Sequence, residues 1–124
     1  MDRVKIVETP RDAMQGIKPF IPTEKKVEYI QSLLNVGFDI VDFGSFVSPK
    51  AIPQLIDSAE VIERLDLSGT NTKLLAIVGN LRGARQGVQH DKVSYLGYPH
   101  SVSDRFLMLN LSSSLDKSRK VTSD

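Results

Sequence analysis

Short, apolar, β-branched runs and stretches with helical apolar spacing take turns along this sequence, and that alternation predicts a parallel sheet covered by helices. Val4 to Thr9 reads as a first strand ended by Pro10, and Pro10 to Pro22 as a loop rich in turn-formers. Thr23 is placed to cap a helix, and Glu24 suits its positive end. Val27, Ile30, Leu33 and Leu34 then share one face before Gly37. Phe38 to Phe43 is a second strand, followed by a loop from Gly44 to Lys50. Pro53 opens a second helix with Leu55, Ile56, Ala59, Ile62 and Leu65 on its apolar face. Leu67 to Thr72 is a polar turn, and Leu74 to Val78 a strand apolar enough to be buried on both faces. Leu81 to His90 is a weak helix interrupted by Gly83 and Gly87, and Val93 to Tyr98 a fourth strand. A long loop follows, and the polar segment to Asp124 starts a fourth helix at Ser112 to Ser114.

Four such units either close a small doubly wound sheet or form half of an eight-unit barrel, and periodicity does not separate the two. The chain stops as a fourth helix begins, which favours a half-barrel with an open sheet edge. One domain over residues 1–124 is expected, with no second domain, internal repeat or linker. Sixteen basic and fifteen acidic residues leave a net charge of +1, too small to imply a polyanion partner. The few aromatics do not interleave with basic residues, so nucleic acid is not an expected partner. No apolar run is long enough to span a bilayer, and the start does not look like a signal or transit peptide. A cytoplasmic address without membrane attachment follows. The absence of cysteine removes thiolate catalysis and cysteine metal sites.

In parallel α/β folds the chemistry gathers at the C-terminal ends of the strands, so the residues just after each strand are the informative ones. They are Arg11, Asp12 and Gln15 after the first strand, and Asp42 and the stretch from Ser45 to Lys50 at the second. Asn80 to Gly83 follow the third, and His100 the fourth. Asp12 and Asp42 are oxygen donors suited to a hard divalent cation or to base work, and Arg11 to holding an anion. Taken singly, an Arg-Asp dipeptide fits a solvated surface pair and Asp42 a capping or salt-bridged group. Their placement at two successive strand ends gives the functional reading its weight.

The stretch from Lys5 to Gln15, with Pro10-Arg11-Asp12-Ala13-Met14-Gln15, resembles the opening strand and loop of 3-hydroxy-3-methylglutaryl-CoA lyases. Ser45-Phe46-Val47-Ser48-Pro49-Lys50, followed by Pro53-Gln54, is similar to that family's segment almost letter for letter. Asn80-Leu81-Arg82-Gly83 resembles its Asn-Leu-Lys-Gly, and Phe106, Asn110, Ser114 and Asp116 fit a looser later pattern. The Arg-Asp loop alone is shared with isopropylmalate and homocitrate synthases, and the serine-rich segment narrows the resemblance to the lyases.

The resemblance implies an α/β fold, the first four βα units of a (β/α)8 TIM barrel, and a role in leucine degradation. It implies metal-assisted cleavage of an acyl-CoA substrate to acetyl-CoA and acetoacetate, with magnesium or manganese as the cofactor and a homodimer at full length. Asp12 would be a metal ligand, Arg11 would stabilise the thioester oxygen, and Asp42 would stand where the family usually has Glu. Arg11, Gln15, Ser45, Ser48, Lys50 and Asn80 would contact substrate. Ala13 replaces a usual Gly, and Asp42 is one methylene shorter than Glu. The family's His-x-His pair, its Asn ligand and its cysteine-bearing loop have no counterpart here. His90 and His100 are not at that spacing and read as surface histidines. The expectation is therefore a chain cut short of a complete metal site and inactive alone. The competing expectations are a condensing enzyme of the same superfamily and a non-catalytic half-barrel acting by association.

Overall fold

In the computed structural model, which describes residues 3–123, four parallel strands lie side by side in the order β1-β2-β3-β4. They are β1 (Val7–Glu8), β2 (Ile40–Ser45), β3 (Lys73–Ile77) and β4 (Val93–Gly97). The helices are α1 (Pro10–Gln15), α2 (Thr23–Val36), α3 (Ser58–Arg64), α4 (Leu81–Gly87), α5 (Asp104–Leu111) and α6 (Leu115–Ser123). Adjacent strands pair Val7 with Ile40, Ile40 with Lys73, and Leu74 with Val93. The expected alternation is thus the one observed. Among the described residues no helix is long and apolar enough to cross a membrane.

The core lies between the sheet and its covering helices. Ile30 and Leu34 of α2 and Val61 and Ile62 of α3 pack with Val41, Phe43, Leu74 and Ala76 of the strands. All eight are almost fully buried. Alternation along each strand sends Val41 and Phe43 to the helices and turns Asp42 to the other face. Leu75 and Ile77 of β3 are only half-buried, so that strand is covered completely on one face and partly on the other. Gly37 ends α2 at a φ of 90°, where glycine avoids the cost of a side chain.

Local chemistry overrides the expected boundaries in several places. The first strand shortens to Val7–Glu8, because β2 is its one partner and only the Ile6 carbonyl extends the pairing, accepting from Ile40. The expected loop after it begins as α1, since Pro10 sits at a helix start where no N–H is needed and Thr9 O accepts from Asp12 and Ala13. Thr23 does not cap α2. Pro22 holds that position, and the Thr23 hydroxyl donates to Asp57 Oδ2 at 2.9 Å. The expected second helix is broken into one 3₁₀ turn at Pro53–Leu55 and α3. Ser58 Oγ donates to Leu55 O and accepts from Ser45 N, which ties the break to the end of β2. Ile56 falls in that break and is exposed. The long loop expected after β4 contains α5, capped by Ser103, whose Oγ accepts from Phe106 N. The last helix begins at Leu115, and the final residue, Asp124, lies outside the described residues.

Gly83 is the tightest point of the helix layer. A Cβ there would stand 2.4 Å from the main-chain oxygen of Phe46. Gly83→Ala is expected to destabilise the protein by about 1–3 kcal/mol, because backbone must move to make room. Urea denaturation measures this, and an unchanged midpoint would mean that the approach is looser than it looks.

Candidate active site

Arg11 is the hub of a polar cluster at the C-terminal ends of β1 and β2. Its Nε and Nη2 both donate to Asp42 Oδ2, at 3.0 and 2.7 Å. Its Nη1 donates to Asp12 Oδ1 at 3.1 Å and to Gln15 Oε1 at 2.9 Å. One short helix makes this possible. In α1, Arg11 and Gln15 are four residues apart and so stand on one face, while Asp12 occupies the first turn, where a negative charge suits the helix dipole. The strand pairing adds the other half. The β2–β3 register shifts between Asp42 and Gly44, an irregularity of the kind that re-aims side chains near sites.

Arg11 is thus no solvated surface residue: its side chain is 16% exposed and that of Asp42 4%, whereas Asp12 is 69% exposed. A guanidinium has five N–H donors and four are engaged, which leaves one on Nη2 without a partner among the described residues. Asp42 Oδ1 is buried and has no hydrogen-bond partner among the described residues, an arrangement natural proteins rarely leave unanswered. Together these groups offer one spare donor and one spare buried acceptor side by side.

Burial is the largest influence on Asp42 and pushes its carboxyl above the ordinary carboxylate range. Arg11 opposes the rise, and the Asp12 charge adds to it. A raised native pKa means that the folded protein holds this proton more tightly than the unfolded chain does. The stability it contributes is present below the unfolded pKa and lost as pH rises through the folded one. Asp42→Asn removes that dependence. With chelator present, the stability of Asp42→Asn relative to wild type should rise with pH through the carboxylate range and then level off. Urea titrations at a series of pH values test this, and a flat difference would count against it.

The other expected site residues fall in a second region. Ser48 and Lys50 are exposed on the loop after β2, and Asn80 opens α4, its side chain accepting from Gly83 N at 2.9 Å. A groove of about 310 Å³ runs between Phe46–Pro49 on one side and Asn80, Arg82 and Gln86 on the other. Lys50 does not line it. The Ser45 hydroxyl is turned inward, donating to Ile77 O and accepting from Val47 N, so it shapes the loop from below. Arg82 and Gln86 were not among the expected contacts. Their four-residue spacing on a helix that starts at Asn80 is the signal that would have found them. His90 is not an ordinary surface histidine either: its ring stacks on Phe46 with centroids 5.3 Å apart, and its Nδ1 bonds Glu63 at 2.7 Å. His100 Nδ1 bonds the buried Ser118 hydroxyl at 2.7 Å. Neither histidine joins the Arg11 cluster.

As metal donors, Asp12 and Asp42 are of the right kind for a hard cation and too few. Such an ion takes about six oxygen ligands, and the described residues contain no group of three or more His, Cys, Asp or Glu that could hold one.

No model of a known protein family matches the chain. The resemblance read from the motifs nevertheless holds over nearly its whole length. The chain is 37% identical over 117 residues to the mitochondrial hydroxymethylglutaryl-CoA lyase of Arabidopsis thaliana, covering 93% of this chain and 24% of that protein. It is 35% identical over 120 residues to the mitochondrial enzyme of Gallus gallus, covering 94% and 39%. Among solved structures, an HMG-CoA lyase from Acinetobacter baumannii in complex with coenzyme A and 3-methylmalate superposes with a TM-score of 0.89. The identity is 31%, over 95% of this chain and 38% of that one. The four strands and their helices match the N-terminal part of that lyase's TIM barrel. The chain spans about a quarter to two fifths of the length of the relatives it matches.

Proposed function

We propose that this chain supplies the first four units of a hydroxymethylglutaryl-CoA lyase barrel, and with them the part of the active site that handles the reacting hydroxyl and the thioester. The observation that carries the reading is the Arg11 cluster at the ends of β1 and β2, in a chain similar throughout to such lyases. Residues 1–124 would then be the N-terminal half of one catalytic barrel domain. The relatives that match are lyases, so a condensing enzyme or a free-standing half-barrel is not favoured.

The reaction cleaves 3-hydroxy-3-methylglutaryl-CoA to acetyl-CoA and acetoacetate. A base removes the tertiary hydroxyl proton, the oxygen forms a carbonyl, and the electrons of the breaking carbon–carbon bond pass into the thioester as an enolate. A proton returned to the enolate carbon gives acetyl-CoA. Asp42 presents an unpartnered buried oxygen, and burial raises its proton affinity; both support it as the group that receives that proton. The free N–H of Arg11 suits the thioester oxygen as charge develops there, because a donor fixed in advance need not reorganise. Gln15 and Asp42 hold the guanidinium in place. A divalent cation, magnesium or manganese, would neutralise charge at the substrate's hydroxyl and carboxylate oxygens, and Asp12 is the residue that would hold it. Ser48 and Lys50, on the loop whose course Ser45 sets, and Asn80 at the start of α4 take the acyl-CoA side.

The shorter Asp42 carboxylate is reached by Arg11 directly, so its one-methylene deficit relative to Glu leaves the pair intact. Cytoplasmic forms occur among the relatives, as do mitochondrial ones, and the former support a cytoplasmic address. A homodimer at full length completes the proposal. The test is acetoacetate release from 3-hydroxy-3-methylglutaryl-CoA by the protein at its full native length, with magnesium present. Turnover is expected there and not from residues 1–124 alone. No cleavage by the full-length protein would overturn the reading.

A further inference from the structure

A cavity of about 340 Å³ lies beyond the end of β3, walled on one side by Asn80 and on the other by Ser112, Ser113, Lys117 and Lys120, with Tyr98 between them. Among the described residues no carboxylate borders it, so the two lysines in its wall have no opposing charge there. Among the described residues neither lysine takes part in an ion pair. They are three residues apart on α6, which puts their Cβ atoms about 5–6 Å apart on one face. The wall that carries them is fixed. Ser118, fully buried beside Lys117, bonds Tyr98 Oη at 2.9 Å and His100 Nδ1 at 2.7 Å, anchoring α6 to the end of β4. At the turn into that wall Ser112 has a φ of 47°, the one non-glycine residue with positive φ among the described residues. It is the left-handed cap that ends α5, its N–H donating to Met108 O.

We infer that this cavity is a binding subsite for a phosphoryl group. Two lysine ammoniums act as adjustable point charges that suit a tetrahedral dianion, while serine hydroxyls and the Asn80 amide add neutral donors. Asn80 also borders the groove along Phe46–Pro49, so the two spaces share a wall. The phosphoryl group therefore has two sources: the nucleotide end of a coenzyme A ester, or free inorganic phosphate. The first source rests on the lyase reading; the site itself does not.

Calorimetric titration of the full-length protein with inorganic phosphate, coenzyme A and pantetheine, in wild type and in Lys117→Ala/Lys120→Ala, tests the inference. Both lysines are exposed, so the double variant should keep its fold, and circular dichroism checks that. Loss of about tenfold or more in coenzyme A affinity, with pantetheine binding unchanged, supports the site with the nucleotide phosphates as its ligand. The same loss for inorganic phosphate alone supports it with free phosphate as the ligand. Wild-type binding that is absent, or unchanged by the double substitution for both probes, overturns it. Lysine-dependent phosphate binding in a protein that fails to cleave 3-hydroxy-3-methylglutaryl-CoA would sink the lyase reading and leave this site standing.

Discussion

Arg11→Ala should lower kcat for 3-hydroxy-3-methylglutaryl-CoA cleavage by about 10²–10³-fold, the usual cost of removing one preorganised donor from a developing oxyanion. The same change should destabilise the fold by about 3–5 kcal/mol, because it strands the buried Asp42 carboxylate without its cation. The two effects are separable. Arg11→Ala/Asp42→Asn removes the stranded charge, so it should recover most of the stability in urea denaturation and none of the activity. Asp42→Asn also removes the proposed base, so recovery of activity in the double variant would overturn the roles of both residues. Arg11→Lys is expected to fall near the alanine variant in activity, since an ammonium cannot span Asp42, Asp12 and Gln15 together.

Lys26→Ala is expected to be the most damaging substitution outside the site. The Lys26 side chain is 2% exposed, pairs with Asp57 Oδ1 at 2.6 Å, donates to Gln54 O and lies over the Phe20 ring, 4.0 Å from its centroid. Removing it leaves the Asp57 carboxylate, itself nearly buried, with only the Thr23 hydroxyl, at a cost of about 3–5 kcal/mol. The damage should reach the site as well. The Gln54 side chain accepts from Ile21 N and donates to Ile17 O and Pro19 O, so this cluster staples down the segment that follows α1. Lys26→Met/Asp57→Asn keeps the volume and removes both charges. A urea midpoint for that pair close to wild type is the expected outcome; one as low as that of Lys26→Ala would show that packing, not the stranded charge, sets the loss.

The contrast between these two residues shows what the sequence reveals and what it hides. Arg11 and Asp42 are legible because strand ends can be located from periodicity, and parallel α/β folds put the ends of neighbouring strands on one rim. Lys26 is not legible. On the helix it reads as one more solvated charge between Lys25 and Val27, and only Asp57, 31 residues away, makes its burial tolerable. The break between the 3₁₀ turn and α3 is hidden for the same reason. The run from Pro53 to Leu65 has good helical spacing, and it is Ser58, reaching over Gly44 to the Ser45 amide, that interrupts it. Helix α5 is hidden as well: Phe106, Met108 and Leu109 are exposed, so its apolar pattern does not mark a single covered face. Apolar spacing records how an element meets the core. It does not record which polar group another element will bring.

Because the strands stand in the sheet in the order in which they are made, a nascent chain leaving the ribosome meets its pairing surface already present at each step. Val7 waits for Ile40, but from then on β3 and β4 each find a finished neighbour. The closures span 33 residues from Val7 to Ile40, 33 from Ile40 to Lys73 and 19 from Leu74 to Val93, and their entropic costs differ by only about 0.5 kcal/mol. Assembly can therefore advance one unit at a time during synthesis, and the edge of β4 is the growing surface on which any following strand would add.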